Sequence, residues 1–283
     1  MSESTAQATA VPMLALNNGV RIPQLGFGVF QIPPEDTRVA VGEALAAGYR
    51  HIDTAAAYRN EAGVGAALAE SAIPREEIFV TTKLRNGEQG SPRAAFEASR
   101  KALGLDVIDL YLIHWPVPSQ GLYTQAWKEL EALYSQGLVR AIGVSNFLSG
   151  HLDTLLAGAS VVPAVNQIEA HPTFHQAALA DKSRSHGIEV EAYSPLGQGR
   201  DLDSPVVTEL AAKYSVTPAQ IVLAWHLGIG NIVIPKSATP ARIRENLAAA
   251  SLSLAPEELE RISALESGQR IGADPAVAAF TQM

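Results

Sequence analysis

The sequence predicts an α/β fold, a (β/α)8 (TIM) barrel with an N-terminal β-hairpin. Three observations support this: eight short β-rich runs, helix start and stop signals between them, and no composition break dividing the chain. The runs occupy residues 25–30, 49–53, 78–83, 109–114, 141–144, 164–168, 188–193 and 232–234. Ahead of the first, residues 13–22 form two apolar stretches around Asn17-Asn18-Gly19, and Asn-Gly is a strong hairpin turn. Between the runs, Ser91-Pro92 opens a helix that Gly104 closes. Over residues 123–136, Trp127, Leu130 and Leu133 recur at helical spacing and Gly137 ends the segment. Thr217-Pro218-Ala219-Gln220 reads as a capping box with proline at the first helical position. Proline and glycine are scattered at single turns, so residues 13–283 are expected to form one domain behind a disordered tail at 1–12. The interval from Tyr193 to Ile232 and the tail after Leu265 are where extra loops are expected to shape a pocket.

Composition excludes several classes of function. The chain has 283 residues, 47% of them hydrophobic, enough for a large core. A formal net charge of -8 argues against general binding to nucleic acid or anionic membranes, which recruit excess Lys and Arg. With no cysteine there is no disulfide, zinc-thiolate site or thiol nucleophile, which suits a reducing, cytoplasmic setting. The opening MSESTAQATA lacks the basic and apolar regions of a secretory signal, and no run reaches the ~18 apolar residues of a membrane span.

In such a barrel the active site lies at the C-terminal ends of the strands. Asp53 ends the second run, Lys83 the third and His114 the fourth, with Tyr58 in the loop five residues after Asp53. Singly, these read as a turn residue, a strand-end charge, a core histidine and a loop aromatic; together, at three successive strand ends, they point to proton transfer. A phenol has a pKa of about 10, and a neighbouring Lys83 cation is expected to make Tyr58 a stronger acid. Asp53 would position Lys83, and His114 would hold a carbonyl oxygen in line for Tyr58. None of the four supplies an electron pair to carbon, so a hydride donor is required.

A Rossmann site is disfavoured, because Gly26-Phe27-Gly28 and Gly63-Val64-Gly65 each lack the third glycine. After the last run, Thr239 as N-cap and Pro240 at the first position start a helix, with Lys236, Ser237 and Arg242 around its N-terminus. Backbone N–H groups, a hydroxyl and two cations there suit a phosphate.

These stretches resemble the aldo-keto reductase family over nearly the whole chain, and within it the bacterial 2,5-diketo-D-gluconate reductase group. The resemblance rests on Gly48-Tyr-Arg-His-Ile-Asp-Thr-Ala with Tyr58, Leu110-Tyr-Leu-Ile-His-Trp-Pro, Ile142-Gly-Val-Ser-Asn-Phe, Val165-Asn-Gln-Ile-Glu, Ala192-Tyr-Ser-Pro-Leu-Gly and Lys236-Ser. It implies that Asp53, Tyr58, Lys83 and His114 form the catalytic tetrad of an NADPH-dependent carbonyl reductase. By the same resemblance Ser145, Asn146 and Gln167 bond the nicotinamide carboxamide, Tyr193 stacks on its ring, and Ser194, Leu196 and Gln198 lie in the loop crossing the pyrophosphate. Lys236, Ser237 and Arg242 would grip the 2′-phosphate, and Glu245 and Asn246 would reach the adenine. Val29 belongs with these cofactor contacts, and Phe30, Trp115, Tyr58 and His114 would line the pocket of a small carbonyl, such as a diketo sugar acid or methylglyoxal. The family usually works as a monomer. Two other readings compete. A non-catalytic NADPH-binding regulator on the same fold would carry a longer N-terminal segment. A metal-dependent barrel enzyme would use Glu169, His171 and His175, but Pro172 breaks their spacing, and no metal is expected.

Overall fold

The computed structural model describes residues 11–282. The first ten residues of the expected tail lie outside the described residues. Val11 and Pro12 lie inside them, and the Pro12 carbonyl accepts a hydrogen bond from Gln24 N.

Strands β1 (Met13–Ala15) and β2 (Arg21–Pro23) pair antiparallel, as the Asn-Gly turn predicts, with Gly19 at φ +83. The other eight strands are parallel: β3 (Phe27–Gly28), β4 (His51–Asp53), β5 (Phe79–Leu84), β6 (Ile108–Ile113), β7 (Val139–Ser145), β8 (Val165–Glu169), β9 (Glu189–Tyr193) and β10 (Ile232–Val233). Each pairs with its sequence neighbour, and a parallel bridge between Leu25 and Val233 brings the first strand onto the last. Gly26 N donates to the Val233 carbonyl, and Val233 N donates to the Gln24 carbonyl. Glycine is required at position 26 because a Cβ there would lie 2.5 Å from His51 Nδ1. The arrangement is the (β/α)8 plan.

Helices follow the strands in turn: Pro34–Ala47, Glu61–Glu70, Pro92–Leu103, Tyr123–Ser135, Ser149–Leu156, Ala177–Ser185, then Pro205–Tyr214 with Pro218–Gly228, and finally Pro240–Ala248 with Pro256–Ser263. Local chemistry sets several ends. Gly104 closes the third in the left-handed conformation, and the Thr217 hydroxyl accepts a hydrogen bond from Gln220 N while Thr217 N donates to the Gln220 side-chain oxygen. Thr239 is the N-cap of Pro240–Ala248, yet its side chain makes no capping bond; Ser237 Oγ accepts from Thr239 N instead. The long interval after β9 holds an extra helix and a 3-10 segment, Gly197–Asp203, rather than loop alone. None of the described helices is long and apolar enough to cross a membrane.

Strand alternation sorts the barrel interior into floor and mouth. The floor is apolar: Leu16 and Ile22 of the hairpin pack on Phe79, Leu110, Leu112 and Ile232. Above it come pairs of inward polar residues two apart, His51 with Asp53, Thr81 with Lys83, Gln167 with Glu169 and Glu191 with Tyr193. Most are fully buried, so each needs a partner inside the barrel.

Candidate active site

Lys83 is the only buried lysine or arginine among the described residues. Its ammonium donates to both carboxylate oxygens of Asp53, at 2.7 and 2.8 Å, and to the Thr54 carbonyl at 2.9 Å. Those three bonds use every proton the ammonium has. Strands β4 and β5 are register neighbours, with Asp53 opposite Thr81, so the pair is fixed by sheet geometry.

Tyr58 ends a 3-10 turn, Ala56–Tyr58, that follows β4. Its ring lies 5.7 Å from the His114 ring, 5.0 Å from Phe30 and 5.3 Å from the Lys83 ammonium. The four residues read from strand ends therefore meet at one point. The expected acidification of Tyr58 is overturned: burial, with the charges of Asp53 and Glu191 behind it, pushes its pKa well above the usual phenol value. The donors of Lys83 are spent on Asp53 and Thr54, so the ammonium offers the phenol only its proximity against that burial. Tyr58 is therefore firmly protonated at neutral pH. Burial, helped by the Lys83 charge, holds the His114 pKa well below 6.5, so its imidazole is neutral, and Nδ1 is buried without a hydrogen-bond partner.

The second group of expected residues surrounds this centre. Ser145 ends β7 and its hydroxyl donates to the Gln167 carbonyl; Asn146, at φ +64, donates to the His114 carbonyl at 3.0 Å and accepts from the Tyr193 hydroxyl at 2.7 Å. Gln167 Nε2 donates to Asp53 Oδ2 at 2.8 Å and to Glu191 Oε2 at 3.0 Å. Ser194 and Gln198 have left-handed backbones at the entry and kink of the 3-10 segment; Ser194 and Leu196 are half-buried and Gln198 is exposed. Val29 brings no free polar group, since its N–H donates to the Asp53 carbonyl and its carbonyl accepts from Asn60.

At the far side, Lys236 and Arg242 are exposed around the start of Pro240–Ala248, and neither is in an ion pair among the described residues. Ser237 is buried with its hydroxyl against the backbone of the exposed Thr239, Glu245 Oε1 accepts from Thr217 Oγ1 at 2.8 Å, and Asn246 is buried. Phe30 is 42% exposed, while Trp115 is buried against Val117, Ala278 and Phe280.

Sequence reasoning missed two sets of residues. The first is Glu191 and His51, a carboxyl and an imidazole beneath the Lys83–Asp53 pair, with His51 Nε2 3.6 Å from Glu191 Oε1. A carboxylate two positions before Tyr193 in the strand Glu189–Tyr193 is the signal that marks it, because period-two alternation turns both inward. The second is the Glu169–His171–Asp201 arrangement, of which the sequence marks only Glu169 and His171, as metal-ligand candidates beside His175, and not Asp201. His171 is fully buried, 3.2 Å from Glu169 Oε1 and 2.9 Å from Asp201 Oδ2. Glu169 also accepts from the backbone N–H groups of Ile271 and Gly272, tying the C-terminal tail to β8. A Cβ on Gly272 would lie 2.6 Å from that same carboxylate, so only glycine approaches it so closely.

A barrel whose ionisable groups gather at the carboxyl ends of successive strands belongs with the barrel enzymes. Within that class, the chain belongs to the aldo/keto reductase family, whose profile matches residues 24–267. An aldo-keto reductase of Mycolicibacterium smegmatis is 51% identical over 272 residues, covering 95% of this chain and 99% of that protein. Methylglyoxal reductase DkgA of Yersinia pestis is 50% identical over 271 residues, covering 95% and 98%. Among solved structures, a Gox0644 mutant in complex with NADPH is similar at a TM-score of 0.92 and 45% identity, with 96% of this chain and all of that chain covered (100%).

Proposed function

We propose that the chain reduces small aldehydes or ketones to alcohols with NADPH, and that Tyr58 is the proton donor. What carries this reading is the buried Lys83–Asp53 pair beside a protonated phenol and a neutral imidazole at the barrel mouth. Family membership and the NADPH complex of Gox0644 support the cofactor.

The residues fit that cofactor. Lys236 and Arg242 are exposed cations without ion-pair partners at a helix N-terminus, chemistry suited to a 2′-phosphate, with Ser237 beside them and Glu245 and Asn246 one turn on toward the adenine. Gln167, Ser145 and Asn146 would hold the carboxamide and Tyr193 the ring face. When bound, NADPH supplies the hydride. The protein's own part is positioning and proton supply. His114, uncharged, orients the carbonyl oxygen by hydrogen bonding without competing as an acid. Tyr58 keeps its proton until negative charge develops on that oxygen, then gives it up, and the neighbouring ammonium stabilises the phenolate that results. Asp53 holds the ammonium in place, and Phe30, Trp115 and Phe280 supply apolar walls that exclude water.

Replacing the phenol tests the assignment. Tyr58→Phe removes only the transferable proton, so NADPH affinity by fluorescence titration is expected to change less than about twofold, while kcat falls by about 10²–10⁴-fold. Near-normal kcat on methylglyoxal and aromatic aldehydes, followed by NADPH absorbance, would remove Tyr58 from the role. Absence of wild-type turnover on any carbonyl would remove the reductase reading itself.

A further inference from the structure

Against the Gln167 amide the barrel interior holds two carboxyl groups, Asp53 and Glu191, with one ammonium beside them. Lys83 has no proton left after Asp53 and Thr54. Glu191, fully buried on β9, therefore has no cation of its own; its Oε2 accepts one bond from Gln167 and its Oε1 accepts none. An unpaired buried carboxylate is among the costliest groups a protein can hold. A neutral acid meets that difficulty; the facing His51 Nε2 lies 3.6 Å from Oε1, outside hydrogen-bond distance, and is bonded to Thr81 Oγ1 at 3.1 Å. His51 brings Glu191 no compensating positive charge, because burial drives its pKa to about 3.

The same geometry fixes Gln167. Its amide nitrogen sits between Asp53 Oδ2 and Glu191 Oε2, each an acceptor, so the nitrogen must face inward and both its protons are spent. Gln167 Oε1 is left as its one free polar atom, with no bond among the described residues.

We propose that Glu191 is a positioning residue of the reductase site: a neutral carboxylic acid that locks the Gln167 amide so that only its oxygen is offered, as an acceptor for the carboxamide N–H of nicotinamide. This inference rests on the reading of the chain as an NADPH-dependent reductase. Burial first, and then the Asp53 charge, raise the Glu191 pKa to about 8, in keeping with the geometry. The titratable and charged groups that face it are His51 and Asp53 from β4, Lys83 from β5 and Tyr58 from the turn after β4. Strand β8 contributes the uncharged Gln167, and the register partner on β10 is Ile232. Ionisation of Glu191 would set a second negative charge beside Asp53 and Tyr58, drawing the Lys83 ammonium off Asp53 and loosening the Gln167 bridge.

The test compares E191Q and E191L with the wild type. Glutamine keeps an uncharged acceptor for the Gln167 amide and does not titrate; leucine keeps a similar volume and removes the acceptor. NADPH dissociation constants by fluorescence titration and kcat/KM are measured between roughly pH 6 and 9.5. The wild type is expected to lose cofactor affinity and kcat/KM as pH rises through about 8. E191Q is expected to match the wild type near neutral pH and to lack that decline. E191L is expected to bind NADPH about fivefold to tenfold more weakly near neutral pH, the loss of one oriented hydrogen bond. An E191Q profile with the wild-type alkaline decline, or an E191L protein that binds NADPH as the wild type does, overturns the proposal. If E191L does not fold, the E191Q profile decides alone. A wild type that binds NADPH and turns over no carbonyl defeats the reductase reading, and the binding titrations of the two variants still decide the role of Glu191.

Discussion

Arg242 stands in the first turn of Pro240–Ala248, exposed and outside every ion pair among the described residues. A guanidinium so placed gains most from a dianion it can grip with two N–H groups. Arg242→Ala is therefore expected to weaken NADPH by about tenfold or more and to leave NADH nearly unchanged. Equal losses for both cofactors in parallel titrations would take the 2′-phosphate away from Arg242. Tyr58 and Glu191 show the opposite situation, in which burial rather than exposure sets the chemistry. Both stay protonated because burial penalises their charged forms, and the one ammonium buried among the described residues is bonded to Asp53. Asp53, Lys83 and His114 were legible in the sequence because each ends a β-rich run. The direction of the Tyr58 shift was not, since it depends on how the donors of Lys83 are shared out among atoms distant in sequence.

The 3-10 segment Gly197–Asp203 and the C-terminal tail are separate in the chain and meet through one histidine. His171 bonds Asp201 of the segment on one side and Glu169 on the other, and Glu169 receives the N–H groups of Ile271 and Gly272. Burial alone would lower the His171 pKa, but hydrogen bonds and charge from Asp201 and Glu169 outweigh it and raise it to about 9. The unfolded value is about 6.5, so the stability this histidine contributes is complete below that pH and is lost as pH rises through about 9. The difference in Tm between wild type and His171→Gln is accordingly expected to be largest near pH 6 and to shrink through the alkaline range. A difference independent of pH between about 6 and 10 would show that the imidazole acts by packing alone. Sequence reasoning flagged the interval after Tyr193 and the tail after Leu265 as pocket-forming without finding the clasp, because Asp201 and the tail are brought to His171 and Glu169 only by the folding of the barrel.

The barrel as a whole is closed at its floor by the hairpin. Leu16 and Ile22 fill the apolar end of the interior, while the polar layer and the mouth lie at the other end. Stability and chemistry are thus placed at opposite ends of the same strands, as the architecture allows. Ile22→Ala, at a fully buried position, is expected to cost about 2–5 kcal/mol in denaturant unfolding while NADPH affinity stays within about twofold. A large change in cofactor affinity with little loss of stability would contradict this separation.

The eight β-rich runs, the hairpin turn and the capping boxes are local patterns, each written in residues that neighbour one another. Strand number, order of elements and the strand-end positions of Asp53, Lys83 and His114 could therefore be read directly from the chain. Partnership across the barrel could not. That Gln167 bridges Asp53 and Glu191, that Lys83 has no proton to spare for Tyr58, and that Phe280 of the tail meets Trp115 edge to face all depend on the folded barrel. Closure brings residues more than a hundred positions apart within hydrogen-bond distance, and it removes the water that would otherwise make their individual charges independent of one another.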